Sequence, residues 1–263
     1  MKSSVIVRTF LDFFVVIVFL LVLAPVVVIA LVSFNPGNDL TFPPQAISLR
    51  WYEAFFADSQ MTSGLIWSIV VAVAACVLSI VLGTLAAVAL TRLRLPFKST
   101  IEAFLLSPLV FPGLILGVAL LLASQFVGMS IVLRLILAHT LLGIPFVIRS
   151  VMSSLNLFDV AIEDAACVHG ASRLRAFMLV TLPSIQGGVA AGAIFAFVVS
   201  FGEINATLFL VGPGLATLPI HMFSQIQFGA EQVVVAAAST VQMALVVILI
   251  FALEKVGLSV ATR

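Results

Sequence analysis

Three places in this sequence carry residue types that could do chemistry. The first is Glu163-Asp164-Ala165-Ala166-Cys167-Val168-His169-Gly170-Ala171-Ser172, followed closely by Arg173 and Arg175. The second is Glu203, with Asn205 and Thr207, in "SFGEINATL". The third is Gly212-Pro213-Gly214. Acids beside a histidine suggest proton transfer or metal binding, but no histidine pair has the spacing of a metal site such as HxxxH. There is also no HExxH, no GxSxG and no GxxxxGK[ST] loop to cradle a nucleotide. No enzyme chemistry is encoded, no metal site is expected, and the polar residues must serve recognition or structure. His139 reads as a packed or hydrogen-bonded helix residue, His169 as part of the first polar segment and His221 as part of a loop.

These residues interrupt a chain that is mostly oil. Of its 263 residues, 63% are hydrophobic and 9% are charged, where a soluble domain carries about 25% charged residues. So much apolar surface needs a bilayer, and the class is an all-α integral membrane protein. The net charge of +1 gives no footprint for nucleic acid. The apolar run Phe13–Phe34 exceeds the 7–15 residues, roughly, of a signal-peptide core and reads as a retained first span. A cleaved signal is the weaker alternative.

A span takes about 20 apolar residues, and six segments qualify: about 11–34, 64–91, 101–124, 130–152, 183–211 and 231–257. A short turn around Gly128 divides the third from the fourth. Helices are required because no alternating pattern suggests a barrel. Lys2 and Arg8, then Arg92, Arg94 and Lys98, then Arg149, Arg173 and Arg175, then Lys255 and Arg263 all fall on one side of the spans. Basic connections stay inside, so both termini are expected in the cytoplasm. Arg134, one turn inside the fourth span, is expected to snorkel to the outer face. The segment 35–63 then lies outside, where Trp51 and Tyr52 suit an interfacial helix.

The first polar segment, about 156–175, becomes the largest cytoplasmic connection. Asp159 can cap a helix running to about Val168, with Glu163 and Asp164 towards its positive end. Gly170 can take the left-handed conformation that stops a helix, and Ser172 can cap the next one. Pro183 suits the first turn of the fifth span. The alanines keep the helix low in profile, which suits docking into a partner's groove. A solvated connector fits the residues equally well. Pro108, Pro112 and Pro145 can kink the third and fourth spans. Glu203 lies 19 residues beyond Ser184, or roughly 28 Å along a straight helix, in the outer part of the membrane. An acid there marks a functional site by default, or it reaches water or a neighbouring helix. The Gly212-Pro213-Gly214 stretch is either a turn that dips into a pathway or an ordinary tight turn.

Asp164-Ala165-Ala166, then Gly170-Ala171-Ser172, then Val180-Thr181-Leu182-Pro183 resembles a known signature. It is the "EAA" pattern of permeases of binding-protein-dependent ABC importers, the MetI-like family. Asp164 stands where that pattern has glutamate. "SLRWYEAFF", "AVALTRLRLPFK", "SPLVFPGLILGVALL" and "SFGEINATLFLVGPGLATLPIHMFS" are similar to parts of the spermidine/putrescine-type group, so the resemblance covers nearly the whole chain.

The resemblance implies a MetI-like permease core of six helices in a bacterial inner membrane. It makes the segment between helices four and five a coupling helix, with Glu163, Asp164, Ala165, Ala166, Gly170, Ala171, Ser172, Arg173, Leu182 and Pro183 as coupling residues. Glu203, Asn205, Gly212 and Pro213 become candidates for the substrate path or gate. The implied partners are a cytoplasmic ABC ATPase dimer, a second and different permease chain, and a periplasmic solute-binding protein. The chain itself binds no cofactor, and ATP with Mg belongs to the ATPase. The cargo is open. Polyamine-type permeases tend to carry two adjacent acids where this chain has Gly202-Glu203, and "GE…ATL" also resembles sulfate- and molybdate-type permeases. A polyamine-like organic solute, an inorganic anion and iron all remain, and a stand-alone transporter or channel is the reading from another class.

Overall fold

The computed structural model describes residues 2–229 and 231–261, with side chains described from residue 10 to 252 apart from residue 230. Arg263 and the side chains of Lys2, Arg8 and Lys255, used above for direction, lie outside these. The described chain is all-helical: α1 (Lys2–Val32), α2 (Arg50–Ala57), α3 (Ser59–Arg92), α4 (Lys98–Leu106), α5 (Gly113–Phe126), α6 (Ile131–Leu157), α7 (Val160–Val168), α8 (Arg173–Ala176), α9 (Leu182–Ser184), α10 (Gln186–Phe201), α11 (Thr207–Leu210), α12 (Leu218–Phe228) and α13 (Val233–Ala261). A 3-10 turn (Ser107–Leu109) follows α4, and a π turn (Phe177–Thr181) joins α8 to α9.

Among the described residues, four helical stretches are long and apolar enough to cross a bilayer: Phe10–Val32, α3, α6 and Val233–Ala252. The expected third and fifth spans are not straight helices. The third is a pair bent by 99° between Leu109 and Gly113. Pro108 is the middle residue of the 3-10 turn and Pro112 sits just before α5, so neither can donate the backbone hydrogen bond that would carry a helix through. Around the fifth, the helical stretches Arg173–Ser184 and Gln186–Phe201 form a pair bent by 69°, and residues 202–206 are not helical. By contrast α6 runs unbroken through Pro145.

The chain divides into two compact units. In Met1–Thr62 with Met222–Leu245, α2 is pinned to the end of α1 and to the loop after it. The hydroxyls of Ser33 and Tyr52 meet at 2.6 Å, and Trp51 Nε1 donates to the Gly37 carbonyl at 3.1 Å. Trp51 and Phe55 are buried here, which fits an amphipathic helix with two aromatic anchors.

In Ser63–His221 with Val246–Arg263, the core forms around α6 and α10. Val147, Val151, Leu155, Ile185, Ala196 and Ala87 make one buried cluster. Lipid tails are as apolar as leucine, so helices in a bilayer associate by close packing rather than by hydrophobic exclusion. Small residues provide that closeness. A Cβ added at Gly192 would stand 2.9 Å from Val147 Cα, and one at Gly143 would stand 2.6 Å from Ser79 Oγ.

Candidate functional site

The polar segment closes on itself as its residue types dictate. Asp159 Oδ1 accepts from the Ala161 N–H at 2.9 Å and caps α7. At the other end Gly170 has φ +94°, a left-handed conformation that a side chain disfavours. The turn is a Schellman motif. The Ala171 N–H reaches the Ala166 carbonyl at 3.1 Å, and the Gly170 N–H reaches the Cys167 carbonyl at 3.0 Å. Ser172 Oγ then accepts from the Arg175 N–H at 3.3 Å and caps α8. Every donor and acceptor in this chain of caps lies within five residues of its partner.

The two adjacent acids face different surroundings. The Asp164 side chain is 60% exposed and lies 4.0 Å from Arg173, itself 83% exposed. Glu163 is 13% exposed. Its Oε2 accepts from the buried Thr181 Oγ1 at 2.5 Å and lies 3.5 Å from Arg92 Nη2 at the end of α3. The Arg92 guanidinium also sits 5.6 Å from the centre of the Phe158 ring. Ala165 is exposed and Ala166 half-buried. Glu163 therefore turns inward to two other elements, the end of α3 and the π turn, while Asp164 and Ala165 face outward. The π turn explains Leu182-Pro183. Proline lacks an N–H and its ring crowds the carbonyl four residues back, and here the backbone widens so that the Leu182 N–H reaches the Phe177 carbonyl. Leu182 packs against the α6–α10 core while Pro183 is exposed.

Glu203 sits in the break after α10, not on a helix, so the depth reckoned along a straight helix does not hold. Its Oε1 accepts from the Ala206 N–H at 2.7 Å, just ahead of α11. The start of α5 lies alongside. A Cβ added at Gly113 would be 3.4 Å from Asn205 Cβ and 3.5 Å from Glu203 Oε1. One turn on, a Cβ at Gly117 would be 2.6 Å from the Ala206 carbonyl oxygen. Two bent segments thus meet where each has its break. Irregular backbone at membrane depth is tolerated where protein covers it or water lines it.

Two further residues hold this break. His139, buried in α6, meets Ser200 Oγ at 2.7 Å through Nδ1 and Thr207 Oγ1 at 2.9 Å through Nε2, tying the end of α10 to the start of α11. Arg134, expected to snorkel to the outer face, also has a partner in the protein. Its Nε donates to the Leu210 carbonyl at 2.8 Å, closing the end of α11. Gly212 and Leu215 then form a tight turn with two backbone hydrogen bonds around Pro213 and Gly214, where φ is +79°. Sequence reasoning located Glu203, Asn205, Gly212 and Pro213 but not the roles of Arg92, Thr181, Arg134 or Gly117. The partners of Arg92, Arg134 and His139 are 61 to 76 residues away, so no local pattern could have paired them.

No group of three or more His, Cys, Asp or Glu among the described residues could hold a metal ion. The family described as "Binding-protein-dependent transport system inner membrane component" matches residues 79–256. The putrescine transport system permease protein PotI of Escherichia coli (strain K12) is 30% identical over 226 residues, covering 83% of this chain and 80% of that protein. The spermidine/putrescine transport system permease protein PotC of Haemophilus influenzae is 29% identical over 240 residues, covering 89% and 93%. A solved bacterial alginate ABC transporter, in complex with an alginate pentasaccharide-bound periplasmic protein, shares the fold with a TM-score of 0.70. It is 12% identical and covers 96% of this chain and 93% of its own. The chain belongs to the MetI-like family of binding-protein-dependent transport system inner membrane components, in the likeness of the putrescine and spermidine/putrescine permeases.

Proposed function

We propose that this chain is one of two permease subunits, the other a different chain, that line the path of an ATP-driven importer. A periplasmic binding protein delivers a small solute of the polyamine type, and a separate ATPase dimer with its ATP and Mg supplies the work. Six spans follow if each bent pair counts as one crossing, and the basic connections then put both termini and α7 in the cytoplasm of an inner-membrane protein. One observation carries the reading. α7 is a short helix capped at both ends, with Asp164 and Ala165 outward and Glu163 turned inward. A mere connector has no need of that rigidity, whereas a part that receives force from a partner does. Glu203, Asn205, Gly212 and Pro213 are assigned to the path and its outer gate.

The test is co-purification from a membrane expressing the neighbouring genes, followed by uptake in vesicles. The ATPase is expected to co-purify, and uptake of labelled putrescine is expected to stop when its ATP sites are disabled. Uptake that persists would favour a stand-alone transporter and sink the importer reading. Uptake of molybdate or iron in place of putrescine would overturn the polyamine assignment alone. For Glu203, the glutamine variant separates charge from backbone cap, because an amide oxygen still accepts from the Ala206 N–H. Glu203→Gln is expected to leave stability unchanged and to weaken putrescine uptake about tenfold, the loss of one charge-assisted contact. Unchanged uptake would reduce Glu203 to a cap.

A further inference from the structure

The two acids of α7 divide the work of the helix, and the inward one does not face the partner. Glu163 Oε2 accepts from Thr181 Oγ1 at 2.5 Å and lies 3.5 Å from Arg92 Nη2. Each neighbour belongs to a different element. Arg92 is the last residue of α3, and Thr181 is the buried last residue of the π turn, directly before Leu182-Pro183. Arg92 also rests against Phe158, which follows α6 and packs on its core cluster. One carboxylate therefore joins α7 to the end of α3 and to the bend that leads into α10, and Arg92 carries the connection on to Phe158 at the end of α6.

The joint is also incompletely made. Arg92 Nη2 is buried and has no hydrogen-bond partner. Its 3.5 Å separation from Glu163 is about 0.7 Å longer than a charge-assisted hydrogen bond. A buried charged donor left short costs free energy, and a small shift of α7 towards α3 would complete the bond. We propose that Arg92, Glu163 and Thr181 form a latch that makes α7 move as one piece with the ends of α3 and α6 and with the π turn. These are positioning residues, acting through the helix rather than on the solute. The proposal rests on the permease reading for what the motion drives, but the latch itself is a property of this chain.

The experiment uses the complex purified with its ATPase, with Cys76→Ser and Cys167→Ala as background and spin labels at positions 93 and 168, both exposed. The 93–168 distance distribution is expected to stay narrow with and without ATP, and to lose that narrowness in Glu163→Gln and in Arg92→Met. Thr181→Ser is expected to keep it and the isosteric Thr181→Val to widen it, a contrast that packing alone would not give. Putrescine taken up per ATP hydrolysed is expected to fall about tenfold in Glu163→Gln, within the usual range of a coupling free energy. The Glu163→Gln/Arg92→Met double variant should do no worse than either single. Narrow distributions in both singles, additive losses in the double, or release of the ATPase by Glu163→Gln would each overturn the latch. Should Arg92→Met not accumulate, Glu163→Gln and the Thr181 pair decide alone. Failure of the unlabelled wild-type chain to bring down any ATPase would instead count against the permease reading, and the distance measurement on the isolated chain would still judge the latch.

Discussion

The segment 159–184 and the segment 200–217 are both polar interruptions in an oily chain, and they are held in opposite ways. The first is closed by its neighbours in sequence: Asp159 to Ala161, Ala171 to Ala166, Ser172 to Arg175. The second is closed from afar: His139 to Ser200 and Thr207, Arg134 to Leu210, and Gly117 against Ala206. The helical turns of the first should therefore survive changes elsewhere in the fold and fail only at their own caps and glycine, while the distant Arg92 governs how α7 is held to its neighbours rather than whether it is a helix. The second should fail when α5 or α6 changes, even though neither helix contains it.

Gly117→Val is the strongest way to break that contrast. The added Cβ would meet a backbone carbonyl at 2.6 Å, and a backbone cannot rotate aside as a side chain can. Overpacking of this kind costs about 3 kcal/mol. The variant is expected to unfold at lower denaturant in detergent micelles and to disturb the Glu203 turn while leaving the α7 caps intact. A stability equal to wild type would mean that α5 and the break are not tightly packed.

His139→Leu comes next. It keeps a buried apolar volume in α6 but strands the Ser200 and Thr207 hydroxyls, which can recover only part of their bonding along their own helices. The expected loss is about 2 kcal/mol, read in the same denaturation experiment. His139→Gln is expected to recover some of it by reaching one of the two hydroxyls. A Leu variant as stable as wild type would show that the pin does not hold the break.

Gly170→Ala probes the other region by a different mechanism. No atom lies within 4 Å of a Cβ placed there, so the cost is conformational. Holding alanine at positive φ costs about 1 kcal/mol, and Gly170→Asn is expected to cost less, because asparagine tolerates that conformation. Equal effects of Ala and Asn would mean that the turn is governed by something other than φ.

This contrast also explains what was legible beforehand. The bounds of α7, its cap at Asp159, the left-handed Gly170 and the cap at Ser172 were readable because each depends on residues a few positions apart. The breaks in the third and fifth spans were only half readable. Pro108 and Pro112 announced trouble, but a proline says that a helix is interrupted, not by what angle, and Pro145 interrupts nothing in α6. Glu203 looked like a point on a continuous helix because "FGEINATL" has no proline and only one glycine. Its break is made by packing against α5 and α6, which no window of sequence contains. Arg92 and Arg134 looked like topology markers for the same reason.

The smallest expected stability change separates the two acids of α7. Asp164 is mid-helix, beyond reach of the free N–H groups at the start, and its pairing with Arg173 spans 4.0 Å between two exposed side chains. Exposed pairs of that kind contribute on the order of a few tenths of a kcal/mol or nothing. Asp164→Asn keeps the shape and removes the charge, so the chain is expected to unfold at the same denaturant concentration as wild type. Any loss of ATPase co-purification in this variant then cannot come from a weakened helix and must come from a surface that the partner reads. Glu163→Gln should show the reverse, with the partner still bound and the motion uncoupled. If Asp164→Asn destabilises the chain as much as Gly170→Ala, the outward acid is part of the helix's own closure. The division between an acid that faces in and an acid that faces out would then fall.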